Sequence, residues 1–88
     1  MDVSDIKAKI LSVDEDGELT ITVKVTVIND SDQNDVYVKL QGLDDEGFEI
    51  FSTVLDGMIP INDTKILTEM IDGVDADVFN NIVKWQGG

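Results

Sequence analysis

The chain contains no cysteine, no histidine and no arginine, so its six basic residues are all lysines. The absence of cysteine excludes disulfides, thiolate metal ligands and thiol nucleophiles. Without histidine the common catalytic triads are missing, and without arginine there is no bidentate clamp for phosphate. No apolar run approaches the roughly 18 residues of a membrane-spanning helix. We therefore predict that the chain is not an enzyme and does not insert directly into a membrane.

Acidic residues dominate the charge of the chain. Nineteen aspartates and glutamates face six lysines, for a net charge of −13. Contacts to nucleic acid or to an anionic membrane surface need clustered lysine and arginine, so this balance disfavours both. Cations and basic protein surfaces suit it better. We expect no nucleic-acid partner, an unidentified protein partner or neighbouring domains, and a monomer when the domain is isolated.

Residues 18–29 carry the clearest structural signal, a strict alternation of apolar and polar side chains. Leu19, Ile21 and Val23 begin a series on one face, and threonines with Lys24 occupy the other. Successive side chains of a strand point to opposite faces, so this pattern predicts a half-buried β-strand. The outer threonine-rich face is interpreted as solvated or as a contact for a partner.

Five further segments show strand patterns, with Gly/Asp turns between them. The predicted strands are 4–13, 18–29, 36–43, 48–55, 65–71 and 80–86, with a bulge near Ile10-Leu11 and a helical turn near residues 77–80. Short, regularly spaced strands of this kind predict an all-β fold, an immunoglobulin-like β-sandwich of six or seven antiparallel strands. We assign one domain to residues 1–88, ordered over about 4–86, with 87–88 as a linker or chain end.

The predicted core follows from the inward positions of these strands, with the second strand in the centre of its sheet. In the fourth strand, Phe48, Ile50 and Val54 are expected to point inward. The core residues predicted from these patterns are Ile6, Ile10, Leu19, Ile21, Val23, Val25, Val27, Val36, Val38, Leu40, Ile50, Leu67 and either Val83 or Trp85.

Residues 21–85 resemble the FxLYD domain in layout. A strand ends in an Asn-rich turn (Val27-Ile28-Asn29-Asp30-Ser31), and another runs into an aspartate turn (Leu40-Gln41-Gly42-Leu43-Asp44-Asp45-Glu46-Gly47). A proline-centred turn follows (Ile59-Pro60-Ile61-Asn62-Asp63-Thr64). When the Phe-x-Leu-Tyr-Asp motif is placed on residues 40–44, Asp44 is its one identical position. The sandwich of late-embryogenesis-abundant proteins has a similar layout and is the second family considered.

The resemblance implies a bacterial immunoglobulin-like domain of an exported or envelope-associated protein, with no catalytic residues to transfer. The predicted function is accordingly a non-catalytic interaction or spacer module of a larger bacterial envelope protein, which needs no cofactor. Localisation at the envelope follows from this resemblance alone. A glycosidase-like carboxylate pair is the remaining catalytic alternative, and it would need a deep cleft.

Acidic turns suggest an alternative function. In a sandwich of sequential antiparallel strands, the first, third and fifth connections lie at one end, so their carboxylates converge there. Calcium takes six to eight oxygen ligands, which suits such a cluster. Aspartate is also favoured in turns because its side chain accepts bonds from nearby amides, and acidic surfaces keep small domains soluble, so turn chemistry and solubility are the favoured interpretation of these residues. The candidate metal ligands are Asp14, Asp16, Asp44, Asp45, Asp72, Asp75 and Asp77.

Overall fold

The computed structural model describes residues 1–87 and consists of two antiparallel sheets. The elements are β1 (Asp2–Val13), β2 (Leu19–Ile28), β3 (Asp35–Leu43), β4 (Glu49–Met58), β5 (Thr64–Val74), α1 (Ala76–Asn81) and β6 (Lys84–Gly87). One sheet has the strand order β1-β2-β5 and the other β4-β3-β6. The prediction of an all-β fold is confirmed, as is the central place of β2. Over residues 1–87, no helix has the length and apolarity that crossing a membrane requires.

A single buried cluster joins the two sheets. The inward side chains of β2, from Leu19 to Val27, are all buried, as their alternation predicts. Val36, Val38 and Leu40 of β3 meet them from the other sheet. Fully burying one such side chain stabilises the fold by about 2 kcal/mol, so these two central strands supply most of the hydrophobic driving force. The remaining members of the cluster are Leu55, Ile59, Leu67 and Val74.

Three predicted core residues neither belong to this cluster nor pack against it. Ile10 is 42% exposed, because β1 is an edge strand and the short β6 lies beside its other end, near Val3. Val83 precedes β6 and is exposed, whereas its predicted alternative Trp85 packs against the core. Ile50 is half-buried outside the cluster.

A bulge in β4 explains why its facing was predicted wrongly. Gly42 pairs with Phe51 and Leu43 with Glu49, so Ile50 is an extra residue that has no partner in β3. The insertion changes which residues of the strand face inward. Leu55 and Ile59 are therefore buried, whereas Val54 is 54% exposed and Phe48 is exposed in the turn before the strand.

The edge strand β1 contains two irregularities. One lies between Ile10 and Ser12, where a bulge is predicted, and the other lies between Ser4 and Lys7. Asp5 in the second bulge has a φ of 52°, in the left-handed region that few non-glycine residues adopt. Ile6 follows it and is half-buried against the core. Bulges of this kind bend an edge strand and discourage unwanted pairing with other strands.

Asn29 fastens two loops at the end of the molecule opposite the hairpin turns. Its side chain is fully buried, and Nδ2 donates to the carbonyl oxygens of Gln33 and Ile59, each at 2.7 Å. Oδ1 accepts from the backbone N–H of Ser31 at 3.0 Å and from its hydroxyl at 2.6 Å. One side chain thus bonds polar groups of both the β2–β3 and the β4–β5 connections, a role that its place in a polar loop did not predict.

Candidate functional site

The predicted metal ligands lie at one end of the molecule. Leu19 pairs with Val74, which brings the β1–β2 turn to the end of β5. Leu43 pairs with Lys84, which brings the β3–β4 turn to the start of β6. The short segment with α1 runs from β5 to β6 and so joins the two sheets at this same end. The topology therefore collects the acidic connections as expected.

Asp14 organises the first turn. Its Oδ1 accepts the backbone N–H groups of Asp16 at 3.0 Å and of Glu18 at 2.9 Å. Gly17, with a φ of 82°, donates its backbone N–H to the Asp14 carbonyl oxygen at 3.1 Å. Positive φ at this position is the reason for glycine, since a Cβ would be strained there. The carboxylate of Asp14 is thus first a structural part of the turn, through Oδ1.

The β3–β4 turn repeats this geometry 30 residues later in the chain, from Asp14 to Asp44. Asp44 Oδ1 accepts the backbone N–H groups of Glu46 and Phe48, each at 2.9 Å. Gly47 has a φ of 84° and donates to the Asp44 carbonyl oxygen at 3.1 Å. Asp45 is exposed at the next position. The two turns differ in charge at their last residue, because Phe48 occupies the position that Glu18 holds in the first turn.

The three predicted ligands from the last connection have three different environments. Asp72 was expected in a turn, but β5 continues to Val74 and Asp72 lies in a bulge of that strand, where its Oδ1 accepts the Thr20 hydroxyl at 3.1 Å. Asp75 is the N-cap of α1 and accepts the N–H groups of Asp77 at 2.8 Å and Val78 at 3.2 Å. Asp77 is in the first turn of that helix.

Only some of these carboxylates come close together. In the part of the chain that the structure describes, Asp14, Asp16 and Glu18 form the one acidic group whose carboxylate oxygens all lie within 4.8 Å of one another. All three side chains are exposed. Glu18 was not among the predicted ligands, although its position at the end of the turn could have indicated it.

A second set of the predicted ligands lines a different feature at the same end. Asp44, Asp45 and Asp77 border an open depression of about 300 Å³, together with Ile50, Val78 and Asn81. Asp75 is committed to capping α1, and Asp72 lies on the other sheet. Five of the seven predicted residues therefore fall in two acidic patches, and Asp72 and Asp75 lie outside both.

Two ion pairs occur within residues 1–87. The amino-terminal ammonium of Met1 pairs with Asp30, and this contact raises the pKa of the amine and lowers the pKa of the carboxyl. A hydrogen bond between the two groups is the main cause in both directions. Lys39 Nζ lies 3.6 Å from Glu49 Oε1 on the outer face of the second sheet. Both pairs are solvent-exposed and contribute little to stability.

The outer face of the β1-β2-β5 sheet has the opposite character to the acidic end. The register places Lys7 directly opposite Lys24, and Lys9 directly opposite Thr22. These residues border an open depression of about 580 Å³, with Ala8 and Thr68 completing its lining. We call the surface around Lys7, Lys9 and Lys24 the lysine face. Half of the six lysines of an acidic chain therefore lie on one surface.

Large apolar side chains are exposed on the outer face of the other sheet. Tyr37 is 67% exposed, Met58 is 64% exposed and Val54 is 54% exposed, and the register partner of Tyr37 is Asp56, which lies between Val54 and Met58 on β4. Trp85, by contrast, packs edge-on against Phe51 with ring centroids 5.9 Å apart and belongs to the margin of the core. Of these two aromatic residues, Tyr37 is therefore the accessible one.

Comparison with known proteins identifies no relative: no family model, no curated protein and no solved structure matches the chain. The resemblance to the FxLYD domain accordingly stays a prediction. Function has to be argued from the surfaces described above.

Proposed function

We propose that this chain is a non-catalytic interaction module of a larger bacterial, envelope-associated protein, with an FxLYD-type, immunoglobulin-like β-sandwich as its scaffold. A spacer is the other role of the same class. The proposal rests on the large apolar side chains that are exposed on the outer faces of both sheets. Each displays large exposed side chains, Tyr37 and Met58 on one and Met70 on the other, around a filled core. Exposed apolar groups with a polar surround are typical of protein contact surfaces.

The arrangement of the carboxylates also supports a non-catalytic role. A glycosidase needs two carboxyls across a cleft that shields the reaction from water. Asp14, Asp16 and Glu18 are exposed, and Asp44, Asp45 and Asp77 border an open depression. Asp14, Asp44 and Asp75 accept hydrogen bonds from backbone amides of their own turns. These three carboxylates therefore stabilise their turns and the start of α1, which is a structural role.

A replacement experiment in the full-length protein tests this proposal and separates its two forms. The chain is replaced by an unrelated rigid domain of the same 43 Å length. Two surface variants are compared with it: Tyr37→Ser with Met58→Ser on one sheet, and Ile66→Ser with Met70→Ser on the other. An interaction module predicts that the replacement fails and that one surface variant fails with it.

The other outcomes of this experiment are equally informative. Full activity of the replaced protein would support the spacer and contradict the interaction role. If the replaced protein instead lost turnover of a substrate that the isolated chain converts by itself, the non-catalytic proposal would be wrong.

A calcium-dependent module is the second candidate, and the group formed by Asp14, Asp16 and Glu18 favours it. Both structural bonds of Asp14 go to Oδ1, so its Oδ2 is uncommitted. Three carboxylate oxygens within 4.8 Å could bind one hard cation, with water completing the coordination. The residues needed are contributed by a single five-residue turn.

The matching turn at residues 44–48 provides an internal control for this candidate. Thermal melts are recorded in EDTA and in millimolar calcium, with magnesium and sodium chloride at matched ionic strength. Calcium binding predicts a calcium-selective rise that is lost in Asp16→Asn/Glu18→Gln and kept in Asp45→Asn/Glu46→Gln, by linkage of binding to folding. A rise shared by all salts and all variants would be screening of the acidic surface and would contradict a site.

A further inference from the structure

The lysine face brings like charges together in a chain that has an excess of the opposite charge. Lys7 and Lys24 are cross-strand partners, and side chains directly opposite each other in a sheet have Cβ atoms about 5 Å apart. Lys9 follows Lys7 on the same face, about 7 Å along the strand. Like charges in this relationship destabilise a sheet. Within residues 1–87, none of the three lysines forms an ion pair.

The depression between these lysines has the chemistry of an anion site. Three small residues, Ala8, Thr22 and Thr68, complete its lining beside the lysines. The Thr22 hydroxyl donates to the Glu69 carbonyl oxygen at 3.3 Å. A carboxylate placed there would gain charge-assisted hydrogen bonds, which are stronger than neutral ones.

Acidic residues at both ends limit how long an anionic ligand can be. Asp2 lies opposite Ile28 at one end of this face, and Asp72 is bonded to Thr20 at the other. A nucleic acid strand or an anionic membrane would extend from the lysines onto these carboxylates, against a net charge of −13. The other carboxylates of these strands are Asp5, in the β1 bulge, and Glu69, the register partner of Val23.

Apolar side chains lie beside the lysines on the same surface. Ile66 and Met70 are the register partners of Thr26 and Thr22, and both are more than half exposed. A ligand that contacts the lysines and this apolar strip together needs alternating carboxylates and apolar groups. A polypeptide provides both, whereas a simple polyanion provides only the charge.

We propose that the lysine face docks a short acidic segment of a partner polypeptide, with its carboxylates on Lys7, Lys9 and Lys24 and its apolar side chains on Ile66 and Met70. This inference rests on the proposed interaction role and names the surface and the chemistry of the partner. The charge repulsion between Lys7 and Lys24 is relieved when the segment binds. Because the contact is largely between opposite charges, salt screens the attraction, and binding weakens as the ionic strength rises.

Binding of a fluorescent peptide with four Glu-Val repeats to the 88-residue chain tests the proposal by anisotropy. The face variant is Lys7→Gln/Lys9→Gln/Lys24→Gln, and its matched control is Lys39→Gln/Lys65→Gln/Lys84→Gln. Both variants have a net charge of −13 − 3 = −16, so long-range repulsion of the peptide is the same. We expect the face variant to bind about tenfold more weakly or worse, and the control to stay close to the unmodified chain.

Further measurements distinguish a peptide from other sources of negative charge, and a loss of binding from a loss of folding. Lys7→Arg/Lys9→Arg/Lys24→Arg keeps the charge and should keep binding, and circular dichroism melts show that each variant is folded. A peptide with Lys-Val repeats should not bind to this face. Equal loss in both glutamine variants, displacement of the peptide by millimolar inorganic phosphate, or tighter binding to vesicles with anionic lipid would overturn the proposal.

Failure of this inference is distinguishable from failure of the proposed function. If the replacement experiment shows dependence on Tyr37 and Met58 while the peptide does not bind, the chain is an interaction module that uses the other sheet. If the replacement shows a spacer, the interaction role and this inference are wrong together.

Discussion

Lys7 of β1 lies directly opposite Lys24 of β2, on the outer face of the first sheet. The pair is unfavourable for the isolated chain, since like charges at opposed positions destabilise a sheet. It lies among threonines, where a carboxylate could occupy the position of either lysine without a change of fold. The proposed docking of an acidic segment would account for a surface that is adverse for folding and complementary to an anion, in keeping with the trade-off between stability and function.

Lys7→Glu should stabilise the chain by about 0.5 kcal/mol, because it replaces a cross-strand repulsion with an attraction. Lys84→Glu is the control, since its register partner is Leu43 and its net charge of −13 − 2 = −15 is the same. Urea denaturation gives both free energies of unfolding. A Lys7→Glu chain that is no more stable than Lys84→Glu would show that the opposed lysines do not repel each other.

Asn29→Ala should destabilise the chain by about 3 kcal/mol, because the buried carbonyl oxygen of Ile59 loses its donor and the bonds to Gln33 and Ser31 are lost with it. Asn80→Ala, at an exposed position of α1, should change the free energy of unfolding by less than about 0.5 kcal/mol. Chemical denaturation checks both variants. Similar stabilities for the two would mean that Asn29 does not fasten the loops.

Val23→Asp should abolish the cooperative melt, because it buries a charge without a partner at a fully buried position. Val54→Asp carries the same chemical change at an exposed position opposite Lys39 and should remain folded. Circular dichroism melts compare them. Should Val54→Asp unfold and Val23→Asp stay folded, the assignment of faces in β2 and β4 would be reversed.

The Met1–Asp30 ion pair predicts a small pH dependence of stability, because its contribution is lost at both high and low pH. The raised pKa of the amine means that its contribution is present below the ordinary value of 8.0 and is lost as pH rises through the raised value. The lowered pKa of Asp30 means that its contribution is present above 3.8 and is lost as pH falls through the lowered value.

Asp30→Asn should therefore reduce the melting temperature slightly between about pH 4 and 8 and converge with the unmodified chain outside that window. Melts at a series of pH values measure the difference between the two. Asp32→Asn changes the charge equally in the same loop and serves as the control. A constant difference from pH 3 to pH 10 would contradict a contribution from the ion pair.

The sequence predicts structure best where one periodicity continues without interruption. The alternation from Leu19 to Val27 specified the faces of β2, because every step of two returns to the same side. In β4 the apolar residues occupy both parities, and the bulge at Ile50 decides between them. A bulge depends on the partner strand, so the burial of Leu55 and Ile59 could not be predicted from the segment alone.

Some features of the candidate sites could likewise be predicted from the local sequence, whereas others depend on how the strands pair. Asp14 and Asp44 were predictable as turn residues, because Asp and Gly at these spacings satisfy the turn locally. The lysine face needed the register between β1 and β2, which brings Lys7 beside Lys24 across a strand with two bulges. Asp72 was misplaced because β5 bulges at Asp72-Gly73 and then continues to Val74 instead of turning.

Chemical-shift mapping on the ¹⁵N-labelled chain tests the central claim most directly, with the Glu-Val repeat peptide added in steps. The account predicts saturable shifts at Lys7–Lys9, Thr22–Thr26 and Ile66–Met70, on the lysine face and the apolar strip beside it, with the acidic turns unchanged. Shifts centred on Tyr37, Val54 and Met58, or no saturable shift at all, would contradict it.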